Sequence, residues 1–260
     1  MSDFHGRFIW YELITTDPAG AKAFYGDVVG WTGQDMPMPD GGAYTVLQAD
    51  GNGVGGVMQI PPDAKAMGAS PNWTGYIAVD DADAAVKKAK TLGGSVMRPT
   101  QDIPGIGRFA IVADPTGAVF AIMTPLPMDP PRPQVPRGTL GHCSWHELYA
   151  GDLEKAFAFY AGMFGWKKDD AMEMGPAGKY QLFSNQDGQI GGMMTKPPEF
   201  PAPAWLYYFQ VGDIDAAKAR VEAKRGKLTN GPMEVPGGDW IVQGEDPQGA
   251  MFAVVGKKAA

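Results

Sequence analysis

The stretch Trp10–Trp31, WYELITTDPAGAKAFYGDVVGW, decides the architecture because the chain contains it twice. Its echo is Trp145–Trp166, WHELYAGDLEKAFAFYAGMFGW. Without a gap, Trp10, Glu12, Leu13, Asp17, Phe24, Tyr25, Gly30 and Trp31 fall on Trp145, Glu147, Leu148, Asp152, Phe159, Tyr160, Gly165 and Trp166. Each copy reads as a strand, a turn and an amphipathic helix. Residues 8–15 alternate and are rich in aromatic and β-branched side chains, as a strand requires. Asp17 offers an N-cap acceptor, and Pro18 sits at the first helical position, where its missing N–H costs nothing. Ala21, Phe24, Tyr25 and Val28 form one apolar stripe at helical spacing, and Gly30 supplies a left-handed stop. The second copy keeps the plan, with Asp152 as cap and Ala156, Phe159, Tyr160 and Met163 as stripe.

The repetition runs on. Gly55-Gly56-Val57-Met58 returns as Gly191-Gly192-Met193-Met194, and Pro61-Pro62 as Pro197-Pro198. Trp73, Tyr76 and Val79 return as Trp205, Tyr208 and Val211. Asp114-Pro115-Thr116-Gly117 returns as Asp246-Pro247-Gln248-Gly249. Two homologous domains follow, residues 1–124 and 139–260. Between them the proline-rich run PLPMDPPRPQVPRG, residues 125–138, reads as an extended, semi-rigid linker. Each half also carries a weaker internal echo: a strand over 72–80, a capped helix over 81–92 with Ala85, Val86 and Ala89 inward, then strands over 107–113 and 118–124. The first quarter has the same order, with strands over 44–49 and 54–60. Each half is thus βαβββ twice, and the chain holds four such modules.

At 260 residues the chain is long enough for two domains with their own cores. A net charge of −7 without a Lys/Arg run argues against a nucleic-acid surface. The single cysteine, Cys143, excludes an internal disulfide and a thiolate zinc cluster. No apolar run approaches the length of a membrane span, and the opening residues lack a signal core, so a cytoplasmic protein is expected. The pairing of modules within each half removes the need for a dimer to complete a site, so both a monomer and a homodimer are open.

The D-x-x-x-A-x-x-F-Y-x-x-x-x-G-W segment after a strand, the VDD-helix-GG segment and the DPxG turn before the last strand resemble the vicinal oxygen chelate superfamily. That superfamily includes glyoxalases, bleomycin-resistance proteins and extradiol dioxygenases. The resemblance covers nearly the whole chain apart from the linker. It implies an α+β fold of two tandem glyoxalase-like domains, each with two βαβββ modules forming a curved eight-stranded sheet with helices outside and a ligand inside. Metal-dependent members place His, Glu or Gln at three strand positions, which here are Trp10, Thr74 and Ala121, and in the second half Trp145, Leu206 and Ala253. No imidazole or carboxylate stands at any of the six, so no metal and no other cofactor is expected.

Glu12 and Glu147 are the sharpest candidates for chemistry. Strand alternation puts Trp10 and Glu12 on one face and Leu13 on the other, with Trp145, Glu147 and Leu148 repeating the arrangement. A carboxylate beside an indole serves as a base or as an anchor for a cationic or hydroxylated ligand; the structural alternative is that each Glu ties the sheet together. Trp10, Tyr44, Met58, Trp73, Trp145, Tyr180, Met194 and Trp205 recur in pairs and line either a ligand pocket or the core. Arg108 and Trp240 occupy equivalent positions before the two DPxG turns, and Arg108 either binds an anionic ligand or lies on the surface. His146 points to the opposite face from Glu147 and cannot chelate with it. His5, in the N-terminal tail, is expected in solvent. Two functions stay open: a metal-independent protein that binds a small molecule, and a lyase, isomerase or dioxygenase of the superfamily that uses Glu12 or Glu147.

Overall fold

A computed structural model describes residues 2–38, 42–127 and 135–259. The first module runs β1 (Phe8–Thr15), α1 (Pro18–Val29), β2 (Thr32–Pro37), β3 (Ala43–Ala49) and β4 (Asn52–Gln59), followed by the short α2 (Pro62–Ala66). The second is β5 (Asn72–Ala78), α3 (Ala82–Thr91), β6 (Ser95–Ile103), β7 (Gly107–Ala113) and β8 (Val119–Pro125). The third is β9 (Cys143–Ala150), α4 (Leu153–Phe164), β10 (Lys167–Glu173), β11 (Lys179–Asn185) and β12 (Gly188–Thr195). The fourth is β13 (Ala204–Asp213), α5 (Ile214–Ala223), β14 (Lys227–Val235), β15 (Asp239–Glu245) and β16 (Met251–Lys257). The strands form two eight-stranded sheets, ordered β2-β3-β4-β1-β5-β8-β7-β6 and β10-β11-β12-β9-β13-β16-β15-β14. The fold is α+β, and its two sheets follow the two halves of the sequence.

Local chemistry sets the helix ends. Asp17 accepts from Gly20 N at 2.9 Å and Asp152 from Lys155 N at 3.0 Å. Gly30 and Gly165 end α1 and α4 at φ 92° and 73°, in the left-handed region that only glycine enters without a Cβ penalty. The expected stripes are buried in both helices. In α3, Ala85 and Ala89 are buried while Val86 is half-buried.

The units of packing are not the sequence halves. One compact unit comprises Met1–Ile9, Thr74–Gln134 and Trp145–Trp205; the other comprises Trp10–Trp73, Val135–Ser144 and Leu206–Ala260. Each unit therefore takes one module from each half. In the second unit α1 meets α5, and Phe24 and Tyr25 pack on Phe252 with ring centroids 5.4 and 5.7 Å apart. Trp31 meets Phe209 edge-on at 4.7 Å and donates from Nε1 to the Gly141 carbonyl at 2.7 Å. The first unit repeats this with exchanged roles. There α3 meets α4, Phe120 packs on Tyr160 at 5.3 Å, and Trp166 Nε1 donates to the Gly6 carbonyl at 2.9 Å. Aromatic contacts of this kind contribute about 0.5–1.5 kcal/mol each beyond the area they bury.

Two strands of each half are counted in the βαβββ modules but receive no residue range from the sequence. The edge strands β2 and β6 are mostly exposed and carry polar or glycine residues at many positions, so neither shows an apolar strand signature. The linker expectation over 125–138 falls for half its length on 128–134, which lie outside the described residues, while Pro125 ends β8.

Candidate functional site

The ladder register builds the site. Met36 pairs with Tyr44, Tyr44 with Met58, and Met58 with Ile14, one row across β2, β3, β4 and β1. In the next row Gln34 pairs with Val46, Val46 with Gly56, and Gly56 with Glu12. Leu13 is fully buried on the opposite, helix-bearing face. Trp10 and Glu12 thus share a face with Tyr44 and Met58, as strand alternation predicts.

Gly56 is what lets these side chains meet. A Cβ at Gly56 would collide with the Tyr44 hydroxyl and ring. With no side chain there, the phenol lies across β4 and reaches β1. Trp10 Nε1 donates to Tyr44 Oη at 2.8 Å, and the Tyr44 hydroxyl is hydrogen-bonded in turn to the Glu12 carboxylate. Burial first, and the Glu12 charge second, hold the Tyr44 phenol far above its ordinary range, so it stays protonated and donates. The neighbouring Gly55 is needed separately, because a Cβ there would press on the Tyr11 carbonyl at 2.6 Å.

The second half contains the same triad. Trp145 Nε1 donates to Tyr180 Oη at 2.8 Å, Tyr180 is hydrogen-bonded to Glu147, and Gly192 leaves the gap that the Tyr180 ring fills. Met172, Tyr180, Met194 and Tyr149 make the matching row. Burial, with the Glu147 charge second, raises the Tyr180 phenol as well. Trp10, Glu12, Tyr44 and Met58 and their counterparts, all candidates from the sequence, come together in each half. Gly56 and Gly192 are not among those candidates; their signal is the repeated Gly-Gly pair.

Other candidates lie elsewhere. Trp73 and Trp205 are in the helix-side core, 6% and 5% exposed, where their Nε1 atoms donate to Tyr25 Oη and Tyr160 Oη, both at 2.9 Å. One residue along a strand changes the face, and alternation from Tyr76 and Tyr208 sends both indoles under the helices. Arg108 is held by Asp83 on α3 at 2.8 Å and by Asp102 at 3.0 Å. These partially exposed ion pairs belong to the surface rather than to a ligand pocket. Trp240 lies beneath the Lys258 ammonium at 4.3 Å. His146 is 7% exposed, with Nδ1 2.8 Å from the Ile190 carbonyl and its ring stacked on Phe8 at 3.9 Å. It faces away from Glu147, as expected. His5 is half-buried, not solvated, with Nδ1 3.4 Å from the Asp80 carboxylate. A hollow of about 230 Å³ on the helix side is lined by Asp17, Phe24, Lys224 and Gln248. Its Asp27 and Lys224 neutralise each other at 2.7 Å.

The Glyoxalase/Bleomycin resistance protein/Dioxygenase superfamily model matches residues 7–122 and 139–254. The chain belongs to this superfamily. Among curated superfamily relatives, the putative glyoxylase CFP32 of Mycobacterium bovis is 35% identical over 247 residues, which cover 95% of this chain and 93% of the relative. The anthracycline biosynthesis protein DnrV of Streptomyces peucetius is 31% identical over 269 residues, covering 96% and 93%. Among solved structures, the Mn(II)-bound glyoxalase from Novosphingobium aromaticivorans aligns over 98% of this chain and 83% of its own, with TM-score 0.62 and 15% identity. The 2,2',3-trihydroxybiphenyl 1,2-dioxygenase of Sphingomonas wittichii aligns over 98% and 91%, with TM-score 0.66 and 13% identity. Those two likenesses concern the fold alone.

A divalent metal of the superfamily kind does not suit the residues present. Position 10 is an indole that donates to a phenol, and positions 121 and 253 are fully buried alanines. Leu206 is buried at 3% exposure, and Tyr76 and Tyr208 pair across the ladder with Ala121 and Ala253. Among the described residues, no three His, Cys, Asp or Glu side chains converge as a metal set.

Proposed function

We propose that this superfamily member is a small-molecule binding protein that holds a flat organic ligand on its Trp–Tyr–Glu faces without a metal ion. One observation carries the reading: a carboxylate is oriented by a phenol beside an indole, on a sheet face where Trp10, Glu12, Tyr44 and Met58 are all half-buried. A carboxylate can accept from Tyr44 and from a ligand donor together. The indole and the Met36 and Met58 thioethers give an apolar, adaptable surface for a ring. The matching ligand is a flat aromatic molecule with a hydroxyl or a protonated amine. The name of the anthracycline biosynthesis relative supports an aromatic natural-product ligand. On this reading residues 1–124 and 139–260 are two glyoxalase-like domains joined by 125–138. The protein is a cytoplasmic monomer or homodimer with no nucleic-acid partner, in keeping with its net charge of −7 and with no described helix long and apolar enough to cross a membrane.

The test is a thermal-shift screen of neutral, hydroxylated and amino-substituted aromatics, repeated on Glu12→Gln and Tyr44→Phe. Stabilisation of the wild type that is lost in both variants is the expected result. A screen in which no aromatic of any class stabilises the protein overturns the reading.

The second reading is an enzyme of the superfamily with Glu12 or Glu147 as base, favoured by the relative named a putative glyoxylase. Unchanged turnover in a Glu12→Gln, Glu147→Gln double variant would sink that assignment.

A further inference from the structure

The two triads are built from the same residues and differ in access. Glu12, Tyr44, Met58 and Ile14 are all half-buried. Their counterparts are more deeply buried: Glu147 is 7% exposed, and Tyr180, Met194 and Tyr149 are each 8% exposed. Trp145 is half-buried like Trp10, and Met172 at the end of the row is half-buried as well.

A local difference in sequence lies beside the more buried set. After β4 the chain reads PPDAKA and turns into α2, an exposed helix with no buried residue. After β12 it reads PPEFPAPA, where Pro201 and Pro203 forbid a helix. The chain makes a turn instead, with Phe200 N donating to the Pro197 carbonyl at 3.1 Å and Lys196 Nζ donating to the Phe200 carbonyl at 2.6 Å. That turn lays the Phe200 ring on Tyr149, centroids 4.5 Å apart and planes 23° from parallel. Counting from the paired prolines, the first half has Ala64 where Phe200 stands, and Ile14 replaces Tyr149 in the ladder row.

We propose that only the Trp10–Glu12–Tyr44 face takes a ligand, and that Phe200 is a built-in aromatic plug closing the Trp145–Glu147–Tyr180 face. This deepens the binding reading and rests on it for the ligand, while the plug stands on geometry alone. The plug also points to the ligand class. A phenyl ring from the chain itself occupies one face, and a free aromatic ring bearing a hydrogen-bond donor fits its open twin. One ligand per chain follows.

The plug is tested without any ligand, by labelling the full chain with a carbodiimide and glycine ethyl ester and reading each glutamate by mass spectrometry. Glu12 is expected to label several-fold faster than Glu147. In Phe200→Ala, Glu147 should accelerate towards the Glu12 rate while Glu12 stays unchanged, which also reports that the fold is intact. Phe200→Leu, which keeps an apolar cover, should fall between. Equal labelling of the two glutamates in the wild type overturns the proposal, as does a Glu147 rate indifferent to Phe200→Ala. A separate arm adds 2-naphthol as an aromatic probe. Protection of Glu12 alone supports the single open face, and protection of Glu147 in the wild type overturns it. If the asymmetry holds and 2-naphthol protects neither, the aromatic ligand class fails and the plug stands.

Discussion

The hydroxyl of Tyr25, on the first helix, donates a 3.1 Å hydrogen bond to Oδ2 of Asp246, on the last turn of the chain. Asp246 is 4% exposed, and its Oδ1 accepts from the backbone N–H groups of Gln248 and Ala250, both at 2.9 Å. Burial raises the Asp246 carboxyl above its ordinary range, against the opposing pull of those hydrogen bonds. A carboxyl raised in the folded state binds its proton more tightly there than in the unfolded chain. Its contribution is present in full below the ordinary aspartate range and is lost as pH rises through the raised value. Asp246→Asn should remove that slope, so the wild type loses stability relative to the variant as pH climbs from about 4. Urea melts at a series of pH values check this, and parallel curves would refute it.

Tyr25→Phe removes the donor to Asp246 and the acceptor for Trp73 Nε1 together. Leaving two buried polar groups unpaired should cost about 1–3 kcal/mol for each. A variant within experimental error of the wild type in denaturant melts would mean that neither bond matters.

Gly56→Ala drives a methyl group into the Tyr44 phenol. Overpacking of this kind costs about 1–3 kcal/mol and should also abolish aromatic binding, because the Trp10–Tyr44–Glu12 contacts separate. A double-mutant cycle isolates the cause: in a Tyr44→Ala background the same glycine substitution should be nearly neutral. An undiminished cost there would place the clash with some other group.

Metal removal should leave the melting temperature unchanged. A site holding metal at one hundred times its dissociation constant would add about 2.7 kcal/mol. Treatment with EDTA and re-addition of Mn, Fe, Zn or Ni should therefore produce no shift of that size. A stabilisation saturating at one metal per chain would overturn the metal-free reading and send the search back to Glu12 and Glu147.

Trp166→Phe should release the N-terminal segment, since the indole donates to the Gly6 carbonyl. Hydrogen exchange over residues 2–7 is expected to accelerate, while the 135–144 segment, held by Trp31 at Gly141, keeps its protection. Equal acceleration of both segments would show a global loss of stability instead.

Much of this protein was legible in its sequence because the controlling physics is local. Asp17 and Asp152 cap the N–H groups a few residues on, Gly30 and Gly165 adopt a conformation that other residues avoid, and alternation assigns Glu12 and Leu13 to opposite faces. The repeat then shows that these local solutions occur twice and, through the superfamily resemblance, what sheets they build. The same alternation was harder to use at Trp73 and Trp205, because the face of a strand with buried residues on both sides cannot be told from its apolar content. Only the tertiary structure decided which amphipathic faces meet. Sequence order suggests that neighbouring modules share a core, yet the packing units join first with fourth and second with third. Either pairing satisfies every cap and every stripe. The choice is made by long-range contacts, such as Trp31 on Phe209 and Tyr25 on Asp246, whose partners lie far apart in the chain and leave no periodic trace in it.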